Sequence, residues 1–133
     1  MTLDKIIKTT LEPIAGLDKH VYPLEALKNA MPPFVFYFQS AEDEEDTLSG
    51  GTGLMEAAFE IHVVAKTYAS LVWLAASVRP ALQQLQGTTH EGLLIERVTV
   101  TQASRDVKET EVNLYRRPYL LRVNYQKEEN NNE

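Results

Sequence analysis

The chain predicts an α+β fold: a mostly antiparallel sheet of about four to five strands, with two main helices packed on one face. Three observations lead there. Residues Met55 to Lys66 alternate strictly, with Met55, Ala57, Phe59, Ile61, Val63 and Ala65 on one side and Glu56, Glu60, His62 and Lys66 on the other. Two separate stretches instead repeat their apolar residues at helical spacing. The element order runs helix, two strands, loop, strand, helix, two strands, which hairpins and a single helical crossover can join.

The elements follow in order. Thr2 is placed to cap a helix whose apolar face is Leu3, Ile6, Ile7, Leu11 and Ile14, with Pro13 near its end and Gly16 stopping it. A short strand at His20 to Tyr22 ends at Pro23, and Leu24 to Ala30 has room for one or two helical turns. Phe34 to Gln39 reads as a strand that is apolar on both faces, which suits a central position or contact with another subunit.

Residues 41–53 then read as a flexible acidic, glycine-rich loop, because Glu42-Asp43-Glu44-Glu45-Asp46 leads into Thr47-Leu48-Ser49-Gly50-Gly51-Thr52-Gly53. After the alternating strand, Tyr68 to Gln86 forms a helix with Leu71, Leu74, Ala75, Val78, Leu82 and Leu85 on one face. Pro80 is expected to kink it, and Gly87 to stop it. Leu93 to Gln102 and Tyr115 to Gln126 complete the strands, with a polar loop at Ala103 to Glu111. In the last strand Tyr119, Leu121, Val123 and Tyr125 oppose Arg122 and Asn124, and Pro118 belongs at a strand start or an edge. Residues 1–127 thus form a single domain, and 128–133 a polar tail expected to be disordered.

Composition narrows the function. With 133 residues, 44% apolar and 24% charged, one soluble domain with a real core is the expectation. There is no cysteine, which excludes disulfides, zinc–thiolate sites and thiol catalysis. The start of the chain does not read as a signal peptide, and no segment approaches the roughly 20 apolar residues of a membrane span, so an intracellular protein is expected. A net charge of −6 argues against nonspecific nucleic-acid binding. Arg116, Arg117 and Arg122 are the one basic patch to consider, and paired or solvated arginines are the plainer reading.

No catalytic constellation emerges. The acidic run lacks the ligand spacing of a calcium loop, and His20, His62 and His90 lie on separate elements, with His62 expected to be exposed. The glycine segment lacks the Gly-Lys-Ser/Thr of a phosphate loop, and no serine sits in a nucleophile elbow. The expectation is therefore a protein that is not an enzyme and needs no cofactor or metal. Trp73 reads as a core or interface anchor. Phe34, Phe36, Tyr37 and Phe38 read as core, those on the second face being available to a subunit interface.

Several landmarks then fall in a telling order: Val21-Tyr22-Pro23, Pro33-Phe34-Val35-Phe36-Tyr37, Thr47-Leu48-Ser49-Gly50 before Gly53-Leu54, Phe59 to Ala65 followed by Tyr68-Ala69, and Leu114-Tyr115-Arg116-Arg117 running into Leu120 to Tyr125. In that order and spacing the chain resembles the tail-completion, or tail-to-head joining, proteins of long-tailed bacteriophages. The resemblance spans about Leu11 to Gln126. No single motif is diagnostic of it, and the acidity of Glu42 to Asp46 and the presence of Pro80 depart from it.

The resemblance implies a tail-terminator-like α+β fold in a virion assembly protein of a phage or prophage. It implies a homohexameric ring at the head-proximal end of the tail, contacting the tail-tube protein and the head connector. The residues to watch are then an assembly loop (Glu42, Asp43, Glu44, Glu45, Asp46, Leu48, Gly50 and Gly53) that orders on assembly, and a subunit interface (Phe36, Phe38, Arg116, Arg117 and Arg122). The competing readings are a small bacterial adaptor or regulatory domain that binds a protein partner, and an enzyme subunit whose catalytic groups come from a partner.

Overall fold

Thr2 does cap the first helix, its hydroxyl accepting the Lys5 N–H at 3.3 Å. In the computed structural model, which describes residues 2–24, 30–47 and 50–127, helix α1 spans Leu3–Leu11 and buries Leu3, Ile6, Ile7 and Leu11. It ends short of Gly16 because Pro13 has no N–H to continue the ladder. Successive turns, Ile14 N–H to Leu11 C=O and Leu17 N–H to Ile14 C=O, carry the chain on, and Gly16 reverses it at φ +91°.

The remaining elements are β1 (Val21–Pro23), β2 (Phe34–Thr47), β3 (Gly50–Ala65), α2 (Tyr68–Gln83), β4 (Thr89–His90), β5 (Leu93–Gln102), β6 (Val107–Glu109) and β7 (Leu114–Lys127). The fold is α+β, but its sheet has seven strands rather than four to five, in the order β1-β2-β3-β7-β5-β4 with β6 on β7. It is mixed, because β1 runs parallel to β2. The strands β4 and β6 are too short to show an alternation, so the sequence does not announce them. The segment expected to turn helical before Met31, and the polar tail 128–133, lie outside the described residues.

The largest departure concerns residues 41–53. Strands β2 and β3 run on through this segment as one long hairpin, with Ala41 opposite Ala58, Asp43 opposite Glu56, Asp46 opposite Gly51 and Thr47 opposite Gly50. Register shifts between Gln39 and Ala41 and between Glu44 and Asp46 absorb the mismatch. Composition alone reads the stretch as a loop, whereas pairing begun at Phe34 and Val64 propagates into residues of poor strand propensity. Leu48 and Ser49 lie outside the described residues.

Pro118 is a second correction, since it sits in the central strand β7 and not at an edge. On its second side β7 pairs β6 as far as Arg116 and β5 only from Tyr119. The missing N–H falls in the gap between those two partners, so no ladder bond is lost.

Both helices pack on the same side of the sheet. Ala57, Phe59, Ile61, Val63 and Ala65 of β3, Leu121 and Val123 of β7, and Leu71, Leu74, Ala75, Val78 and Leu82 of α2 belong to one buried core with the α1 residues. Each fully buried Leu, Ile or Phe contributes about 1.5–3 kcal/mol. The helix α2 begins at the N-cap Thr67, whose hydroxyl accepts the Ser70 N–H at 3.1 Å, and it continues past Pro80 to Gln83.

Candidate assembly surfaces

The face of the sheet away from the helices carries the aromatic residues. Register sets Phe36 opposite His62, Phe38 opposite Glu60, and Val64 of β3 opposite Arg116 of β7. The His62 ring stacks on Phe36 at 4.5 Å between centroids and 6° between planes, and on Phe38 at 5.8 Å and 19°. Contrary to the expectation of an exposed histidine, His62 is only 7% exposed. The alternation assigned its face correctly but carried no sign that two phenylalanines and an arginine would cover it.

The hydrogen bonds fix the state of the ring. The Arg116 guanidinium lies 2.9 Å from Nδ1, and Nε2 lies 3.0 Å from Glu60 Oε1. Arginine only donates and a carboxylate only accepts, so Nδ1 carries the lone pair and Nε2–H donates to Glu60. Burial holds His62 below its ordinary pKa and the Arg116 charge adds to that, while the bond to Glu60 opposes it. Among the described residues, this neutral imidazole between a cation and an anion is the one polar or charged residue that is buried.

The arginines of the expected interface do not act together. Arg116 donates from Nε and a terminal nitrogen to Glu109 Oε1 at 3.0 and 2.9 Å, on the aromatic face. Arg117 points to the helix side, where it grips both Asp106 oxygens at 2.8 and 2.9 Å. That bond, first among the causes, holds the Asp106 carboxyl below its ordinary range, and Asp106 in turn raises Arg117. Arg122 lies 3.5 Å from Glu56 in an exposed pair. Phe36, Phe38 and Arg116 are therefore brought together, Arg122 shares their face at a distance, and Arg117 is a structural clamp on the other side.

The expected assembly loop is the far half of the β2–β3 hairpin. Its base is tied to the sheet by Tyr125, whose hydroxyl donates to Glu42 Oε2 at 2.6 Å. Burial and then the Glu42 carboxylate raise the Tyr125 pKa. Glu42 and Asp43 are exposed. Trp73 is not a core residue: it is 59% exposed on the outer face of α2, near Tyr68 and Val72 at 51% and 40%. Among the described residues no group of three or more His, Asp or Glu is placed to hold a metal ion, and no helix is long and apolar enough to cross a membrane.

Seven strands with two helices on one face define a small α+β domain that carries exposed or half-buried aromatic residues on two surfaces. No protein-family model and no curated protein sequence matches the chain. Among solved structures it is similar to a chain of the "Virion of native gene transfer agent (GTA) particle", with a TM-score of 0.62 and 17% identity over 93% of this chain and 94% of that one. At that identity the likeness is one of fold.

Proposed function

We propose that this chain is a structural protein of a phage-like particle, a tail-completion subunit that closes the head-proximal end of the tail and joins it to the head connector. In this reading it works as a ring of about six copies around the tail axis, with the tail-tube protein on one side and the connector on the other. It is not an enzyme; its work is contact.

The observation that carries the reading is the shared fold, over nearly the whole of both chains, with a component of a gene transfer agent virion. The order of the phage-type landmarks from Val21 to Tyr125 supports it separately. So does the distribution of chemistry, because the polar clusters around His62 and Asp106 are internally paired and present no group free to react. The test is to purify particles from cells that express an epitope-tagged chain and to locate the tag by gold labelling. Label at the junction of head and tail is expected. A chain that remains in the soluble fraction while normal particles assemble without it rules the reading out.

A further inference from the structure

The contacts that hold His62 respond to a proton in opposite ways. Its Nε2–H donates to Glu60 Oε1 at 3.0 Å, and its Nδ1 accepts from Arg116 Nη1 at 2.9 Å. The ring also lies nearly parallel to Phe36, with Phe38 close by. A proton on Nδ1 makes the bond to Glu60 charge-assisted on both sides. It also sets a cation against aromatic faces, which attract it. At Arg116 the effect is reversed: the accepting lone pair is used up, and two cations stand where a hydrogen bond was.

Of the two side chains, Arg116 is the one with room to move. It is 25% exposed against 8% for His62, and its remaining bonds, from Nε and Nη2, go to Glu109 Oε1 at the surface. Glu109 belongs to β6, a strand of three residues that, among the described residues, pairs only with β7. The Arg116–Glu109 pair ties β6 down on the aromatic face. On the helix side the ties are Arg117 to Asp106 and Lys108 over the Tyr115 ring at 5.6 Å.

The neighbours of the ring leave the proton few other places to act. The face of β2 towards it carries Phe34, Phe36 and Phe38, and Tyr22 of β1 packs beyond Phe34. Pro118 of β7 stands opposite His62. Farther along the same face Glu56 and Arg122 hold each other, and Lys66 is exposed past the end of β3. Among the described residues, Glu60, Arg116 and Glu109 are the charged groups around the imidazole. Burial lowers the His62 pKa, against the bond to Glu60 and with help from the Arg116 charge, so the change falls on the acid side of the ordinary histidine value.

We propose that His62 is an acid-operated latch: when Nδ1 takes up a proton, Arg116 leaves it for solvent and β6 loosens from β7, while the ring stays on Glu60 and Phe36. The switch turns a closed, internally paired patch into one that presents a guanidinium free of His62 beside the two phenylalanines. It goes beyond the assembly role and does not rest on it.

The experiment follows the full chain, labelled with 15N and 13C, by NMR as the pH falls from about 8 to about 5, on either side of the histidine range. At the alkaline end the proton is expected on Nε2. On acidification Nδ1 protonates with a midpoint below about 6.5, and the Arg116 guanidinium signals move with the same midpoint. Hydrogen exchange at the β6 amides, corrected for its intrinsic pH dependence, speeds up about tenfold or more, while the β3 amides keep their protection. His62→Gln, which cannot take up the proton, holds the Arg116 signals and β6 exchange constant over the same range. Linkage is reciprocal, so the neutral Arg116→Gln raises the proton affinity of His62 by about tenfold. A proton on Nδ1 at the alkaline end overturns the proposal, as does a His62 titration that leaves Arg116 and β6 unchanged. So does equal loss of protection in β3 and β6, which is global unfolding, or the same loosening of β6 in His62→Gln, which assigns it to Glu109. The wild-type readouts decide the matter even if a variant fails to fold.

Discussion

Replacing Arg117 by alanine removes a guanidinium from Asp106 and leaves that carboxylate with Tyr68 and with Gln102, whose side-chain amide donates at 3.1 Å. The two lost bonds measure 2.8 and 2.9 Å, between side chains that are 17% and 18% exposed. Fully exposed pairs contribute about 0–1 kcal/mol, and breaking a fully buried pair costs about 3–5. This pair lies between those limits, so we expect a loss of about 2 kcal/mol, close to the value of charge-assisted hydrogen bonds. Unfolding entropy scales with chain length, and for a domain of this size that is a fall in Tm of about 7 °C.

The pH dependence gives the sharper test. Arg117 holds the Asp106 pKa below its unfolded value, so the stabilisation is complete above that unfolded value and is lost as pH falls through the folded one. Urea unfolding of wild type and Arg117→Ala should therefore differ by about 2 kcal/mol at neutral pH, with the gap closing below about pH 4. A gap that does not change with pH refutes the argument. So does unchanged stability accompanied by lost self-association, which would return Arg117 to an interface.

Three further substitutions probe the other clusters. The folded-state pKa of His62 is lowered, so the unfolded chain takes up the proton first and stability declines as pH drops below about 6.5; His62→Phe should flatten that decline in an acid titration of stability. Tyr125→Phe loses the bond to Glu42, expected to cost about 1 kcal/mol in urea unfolding. The folded-state pKa of Tyr125 is raised, so wild type also loses stability as pH rises above about 10, and the variant should lack that alkaline decline. Thr67→Ala removes the cap of α2 and should lower stability by about 1 kcal/mol by thermal melting, with the helix otherwise retained.

Much of the buried scaffold was legible because it depends on local period. The faces of α1, α2, β3 and β7 follow from spacing alone, and every residue expected on the inner face of β3 from Ala57 to Ala65 is buried. What was not legible depends on pairing between distant segments. The bond from Arg116 to His62 spans 54 positions, and nothing local to either residue announces it. Adjacent arginines looked like one patch, yet the pleat sends Arg116 to the aromatic face and Arg117 to the helix side. The acidic stretch reads as a loop for the converse reason: its residues disfavour a strand, but an antiparallel partner already in register carries it into one.

The central claim is the place of this chain in a particle. The most direct measurement is a cryo-electron-microscopy reconstruction of the head–tail junction in particles made with and without the chain. The account predicts a ring at the head-proximal end of the tail into which the seven-stranded domain fits, and tails that fail to join heads when the chain is missing. Junctions of identical density, and normal joining, in particles made without it would contradict the account.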